Sequence, residues 1–255
     1  VSARELVVAA ITVLGLGTDV FPGGSCSGEH HPHLPVPSEP ADSGVVASTA
    51  GDAGDASTTG DVALDAGASL PPVHRVLEVG DSMVGYAAGL AKVMKVRLAA
   101  AGIEYHSDAV TSASIATFDE SPKLPKLMKL FDPELVIINL GTNTLTVPHP
   151  ESLGAHAAHI AAQIAPRRCL WLGPPSLHET PPREPSPLIA VLKASVAPCL
   201  FFDTSDLVLE RQPDGIHPTE RGAMKWADAF APVLAPLLGG GATVGDGGVY
   251  SFPAP

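Results

Sequence analysis

Three short segments carry residue types that, brought together, could perform acyl transfer through a covalent intermediate. Gly80-Asp81-Ser82-Met83 supplies a hydroxyl, Gly141-Thr142-Asn143 a carboxamide, and Asp214-Gly215-Ile216-His217-Pro218 a carboxylate three positions before an imidazole. A serine hydroxyl is a poor nucleophile until an imidazole takes its proton, and that imidazole needs a carboxylate to fix its tautomer and stabilise its cation. Asp214 and His217 lie in a turn-forming Asp-Gly stretch, a spacing that can aim both side chains at one point. Each segment also has an ordinary reading. Ser82 can cap a helix, Asn143 can be a loop residue tolerant of left-handed backbone, and Asp214-Gly215 can be a β-turn.

Competing chemistries find less support. No Gly-x-Ser-x-Gly elbow is present, which argues against an α/β-hydrolase nucleophile. The catalytic half has neither His-Glu-x-x-His nor a cysteine pair with ligand spacing, so no metal and no cofactor is expected. His156 and His159 fall in an Ala-rich helical stretch beginning near Glu151, with no acidic partner apparent, and read as helix-surface histidines. The run His30, His31 and His33 sits in a polar spacer and reads as solvated.

The elements that must position these groups follow from hydrophobic periodicity. Short apolar runs at 76–79, 134–140, 169–172 and 199–202 read as strands. Helical patterns cover 84–101, 188–196 and 219–237, the last with Thr219 as N-cap. Strands separated by helices imply parallel pairing, hence a three-layer α/β/α sandwich around a central parallel sheet of about five strands. Ligands of such sheets gather at the carboxyl ends of the strands, and the three loaded segments each follow an apolar run.

In order and separation, these segments resemble the block I, block III and block V motifs of the SGNH/GDSL hydrolases, over roughly residues 73–237. The resemblance implies a flavodoxin-like SGNH fold and a serine esterase. Ser82 would be the nucleophile, Asp214 and His217 would complete its triad, and the Asn143 side chain would donate to the oxyanion with the Ser82 N–H. The family's block II glycine, which adds a further N–H, has no counterpart in Asp108-Ala109-Val110-Thr111-Ser112-Ala113, and Ser112 is the best equivalent. A serine keeps the N–H if the local backbone suits a residue with a Cβ. Thr144 stands where block III often has Asp. Family habit further implies a short acyl group, plausibly acetyl, on a carbohydrate or cell-envelope alcohol. An O-acyltransferase using the same triad and a surface-anchored binding protein are the alternatives.

The remaining sequence bears on location and partners. Residues 1–26 have the layout of an export segment, with a short apolar run behind Arg4 followed by Gly, Pro and Ser; Cys26 raises lipoprotein processing and a membrane tether. Residues 27–72 are an acidic Gly/Ala/Ser/Pro linker, 73–238 the hydrolase domain, and 239–255 a Gly-rich stretch read as a flexible tail. The formal charge of −12 argues against a nucleic-acid partner, and about half of it lies in six acids between 38 and 72. The expected partner is a small-molecule or glycan ester substrate, met by a monomer that is periplasmic, surface-anchored or secreted. The Pro-rich segment 173–187 reads either as a wall of the substrate cleft or as a rigid spacer. Cys169 and Cys199 open the fourth and fifth strands, which places them for a disulfide at the end of the sheet opposite the site, in the oxidising compartment that export supplies.

Overall fold

A computed structural model describes residues 70–85, 88–177 and 186–253. The export segment, most of the linker and the histidine run lie outside these residues. Five parallel strands form the central sheet: β1 (Arg75–Gly80), β2 (Glu104–Ala109), β3 (Leu135–Asn139), β4 (Arg168–Leu172) and β5 (Leu200–Phe202), in the order β2-β1-β3-β4-β5. The expected three-layer α/β/α architecture is therefore present. In β3, Leu-Val-Ile-Ile-Asn is buried along its whole length, because a central parallel strand is covered on both faces.

Alternation along the strands divides the core in two. Leu77, Val79, Val136, Ile138 and Trp171 face one layer, formed by α3 (Ile115–Asp119), α4 (Lys123–Phe131), α5 (Glu151–Ile164) and α6 (Pro187–Ser195). Val76, Leu135, Ile137, Leu170 and Leu172 face α2 (Leu90–Ala100) and α7 (Glu220–Leu238), where Met94, Trp226 and Phe230 fill the space. Each fully buried Leu, Ile or Val contributes roughly 1.5–3 kcal/mol relative to exposure.

The helix expected over 84–101 is two elements, α1 (Ser82–Gly85) and α2. Gly89 interrupts it with extended backbone (φ −69°, ψ 172°), and Gly85 abuts β2 so closely that a Cβ would lie 2.5 Å from that of Ala109. At α7, Thr219 is the N-cap as expected, its hydroxyl accepting from the Gly222 N–H at 3.1 Å. No helix among the described residues is long and apolar enough to cross a membrane.

The flexible tail expected from residue 239 is corrected. Residues 239–253 turn back into an antiparallel pair, β6 (Thr243–Val244) and β7 (Tyr250–Ser251), with Tyr250 buried against the α2/α7 side of the core. Glycine richness here encodes turns: Gly239 and Gly248 hold φ of 69° and 70°, and a Cβ on Gly248 would meet the Arg97 guanidinium at 2.4 Å. The Gly240 N–H donates to the Leu70 carbonyl at 2.7 Å, joining the entry and exit of the domain.

Cys169 and Cys199 form a disulfide with Cα atoms 4.7 Å apart. The pair sits at the amino ends of β4 and β5, as the strand assignment anticipated.

Candidate active site

The sheet delivers the three loaded segments to one edge. β1 ends at Gly80, and the chain turns at once into α1, which begins at Ser82. The turn depends on Gly80, since a Cβ there would lie 2.4 Å from the Asn139 carbonyl oxygen of β3. Asp81 beneath it is fully buried and accepts from the Met83 N–H at 2.9 Å. Burial pushes its carboxyl up to about 6, against the opposing pull of bonds from the Met83 and Thr142 N–H groups.

The segment before α7 makes a closed turn. Its base is an antiparallel bridge between Arg211 and Pro218, reinforced by the Gln212 N–H donating to the His217 carbonyl at 2.7 Å. Gly215 rounds the corner at φ 70°, a conformation that favours glycine. Asp214 Oδ1 accepts from the Ile216 and His217 N–H groups at 2.8 and 3.0 Å, and Oδ2 lies 2.8 Å from His217 Nδ1. The His217 bond and these two N–H groups hold the Asp214 carboxyl down at about 2, so it is a carboxylate at neutral pH.

A carboxylate can only accept, so His217 Nδ1 carries the proton and the neutral ring offers Nε2 as an acceptor. That atom lies 2.9 Å from Ser82 Oγ. Ser82, His217 and Asp214 therefore form a continuous chain from hydroxyl to imidazole to carboxylate, the arrangement that activates a serine. At 2.9 Å, the Oγ proton is within direct transfer distance of the ring.

No family model matches the sequence, and no curated protein matches it significantly. Solved structures do. TesA shares 24% identity, with 64% of this chain covering 99% of that one at a TM-score of 0.51. LAE5, an alpha/beta hydrolase enzyme from the metagenome of Lake Arreo, Spain, shares 15% identity, with 64% of this chain covering 94% of that one at a TM-score of 0.50. The three-layer α/β/α fold is the one this chain shares with both structures. The Gly80, Gly141 and Asp214 segments each lie beyond the carboxyl end of a strand, after β1, β3 and β5.

The sheet also brings Asn143 and the segment around Ser112 next to the β1 turn. Asn143 lies in a short 3-10 turn after β3, and its Nδ2 donates to the Ala113 carbonyl at 3.0 Å and to Asp81 Oδ2 at 3.3 Å. One amide thus ties together the loops that follow β1, β2 and β3. Ser112 itself is exposed and holds φ 60°, the left-handed region where glycine is favoured, so serine keeps the N–H at the cost of backbone strain. Among the described residues nothing accepts that N–H. Thr144, standing where block III often has Asp, turns its hydroxyl back to the Gly141 carbonyl at 2.9 Å and braces the turn under Asn143.

Two contacts were not legible in the sequence. The guanidinium of Arg211 donates to the Ile216 and Ser176 carbonyls, joining the His217 loop to the start of the Pro-rich segment. Residues 178–185 of that segment lie outside the described residues. His156 and His159 do have an acidic partner, which corrects the sequence reading: Asp119 at the end of α3 lies 2.8 Å from His156 Nδ1 and 2.7 Å from His159 Nδ1. No group of three or more His, Cys, Asp or Glu among the described residues is placed to hold a metal ion.

Proposed function

We propose that the chain is an SGNH-type carboxylic ester hydrolase that works through an acyl-enzyme on Ser82. The observation that carries this reading is the 2.9 Å approach of His217 Nε2 to Ser82 Oγ, with Asp214 behind the ring. Ser82 Oγ attacks the ester carbonyl carbon while its proton passes to His217 Nε2. The oxyanion that forms is held by the Ser82 and Ser112 N–H groups and by Asn143 Nδ2, which exchanges its long bond to Asp81 for the new charge. Collapse breaks the bond to the alcohol oxygen, and His217 returns its proton to that leaving group. Water, deprotonated by His217, then attacks the acyl-serine and releases the carboxylic acid. Proton transfer by the positioned imidazole contributes about 10²–10⁴ in rate.

The substrate in this proposal is a short acyl ester, plausibly acetyl, of a carbohydrate or cell-envelope alcohol, which follows from the motif resemblance. The compartment is extracytoplasmic. Two features support that location, the Cys169–Cys199 disulfide and the export-like layout of residues 1–26. Hydrolysis of p-nitrophenyl acetate by the full chain, followed by a panel of acetylated glycans, tests the reading. Turnover of the small ester that is lost in Ser82→Ala supports it, and an inert parent chain counts against it.

A further inference from the structure

Arg211 takes no part in the chemistry described above, yet it connects the loop that bears Asp214 and His217 to the carboxyl edge of the sheet. The bonds inside that loop are local. Gln212 N–H to His217 carbonyl, Gly215 N–H to Gln212 carbonyl and the Arg211–Pro218 bridge fix the loop's shape. They do not fix its distance from Ser82, which stands on a different loop 135 residues away in sequence.

The half-buried Arg211 side chain spans that gap. Nη1 donates to the carbonyl of Ile216, the residue before His217, and Nη2 donates to the carbonyl of Ser176, beyond the end of β4. Both acceptors are backbone atoms, so the link holds main chain to main chain and leaves the neighbouring side chains free to differ. Burial pulls the guanidinium below its ordinary pKa, and the nearby Asp214 carboxylate opposes that shift. A planar fork with donors in fixed directions suits two diverging carbonyls, whereas the compact ammonium of lysine has no such fork.

We infer that Arg211 is a positioning residue that holds the His217 imidazole at transfer distance from Ser82 by clamping the Ile216 carbonyl to the Ser176 carbonyl. The inference rests on the reading of Ser82, His217 and Asp214 as a triad. Displacing a base by about 1 Å can cost on the order of 100-fold in rate without altering how substrate binds.

The test compares the parent full-length chain, Ser82→Ala, Arg211→Met, Arg211→Lys and Arg211→Ala on p-nitrophenyl acetate. Each kcat is normalised to active sites titrated to completion with a fluorophosphonate, or for Ser82→Ala to protein concentration, so loss of folded protein in the Arg211 variants does not register as loss of rate. The expected result is a kcat per titrated site lower by about 10- to 100-fold in Arg211→Met, with KM within about twofold of the parent. Arg211→Lys keeps the charge but loses the fork, and its kcat should also fall, though less. Added guanidinium ion should restore part of the rate in Arg211→Ala. A parent activity that depends on Ser82 while kcat per site is unchanged in Arg211→Met overturns this inference alone. An inactive parent, or activity surviving in Ser82→Ala, overturns the esterase reading and the inference together.

Discussion

Ser82 and His217 are separated by 135 residues and meet at 2.9 Å, one at the start of the helix after the first strand and the other just before the last helix of the sheet domain. Nothing local creates that approach. It follows from strand order: β1 lies between β2 and the central strand β3, and α7 packs alongside α2 on one face of the sheet. The loop entering α7 therefore passes over the carboxyl end of β1.

Asn143 should matter to rate more than to folding. Its Nδ2 donates to Ala113 and Asp81 in the resting site. If the Asp81 bond yields to the oxyanion, Asn143→Ala lowers kcat by about 10²–10³ with a modest change in melting temperature. A kcat that barely changes while the melting temperature drops would reduce Asn143 to a brace between loops.

Ser112 occupies a left-handed conformation at φ 60°. Ser112→Gly keeps the N–H and removes the clash of Cβ with the backbone, so the variant should gain about 0.5–1 kcal/mol of stability, the relief of strain exceeding the added entropy of the unfolded chain. Activity should stay within a fewfold of the parent. Denaturant midpoints and kcat/KM measured side by side check both halves, and a destabilised variant would show that the serine hydroxyl carries a contact worth more than the strain.

Glu78 gives stability a specific pH dependence. It is fully buried in β1, takes a hydrogen bond from the Tyr105 hydroxyl, and burial pushes its carboxyl up to about 7. In the unfolded chain it ionises near its ordinary value of 4.5, so between 4.5 and about 7 the folded state holds a proton that the unfolded state has lost. Stability should therefore fall as pH rises through that window, by on the order of 1 kcal/mol per pH unit from this group. Glu78→Gln should flatten the slope in urea titrations at pH 5, 6 and 7; an unchanged slope would assign the dependence elsewhere.

The Cys169–Cys199 bond closes a separation of 30 residues at the amino ends of β4 and β5. Replacing both cysteines with alanine should cost roughly 3–4 kcal/mol in the chain-entropy view and leave kcat/KM unchanged, because the reacting groups lie at the opposite strand ends. Free, alkylatable thiols in protein from an oxidising compartment would contradict the pairing.

What the sequence made legible was whatever depends on short-range pattern. The Leu-Val-Ile-Ile run of β3 announces a strand buried on both faces, and Asp214 to His217 is a turn whose bonds are nearly all internal. Less visible was β2, Glu-Tyr-His-Ser-Asp-Ala, because an edge strand with no fully buried residue lacks the apolar run of a central one. The carboxyl-terminal hairpin was misread as flexible because its glycines look the same in sequence whether they serve as turns or as linker. Arg211 and Asp119 gave no signal at all. Apart from the Ile216 carbonyl, five residues on from Arg211, their partners are a backbone carbonyl and two imidazoles 35 to 40 residues distant, for which no local spacing rule exists.

Covalent labelling bears most directly on the central claim, because it reports the nucleophile itself. The full chain treated with a fluorophosphonate, digested and mapped by mass spectrometry should carry one phosphonyl adduct on Ser82. Ser82→Ala should take up none, and His217→Ala should label at least 100-fold more slowly, in keeping with the roughly 10⁴–10⁶ lost when a serine is deprived of its base. An adduct on any other residue, or labelling that persists in Ser82→Ala, would contradict the account.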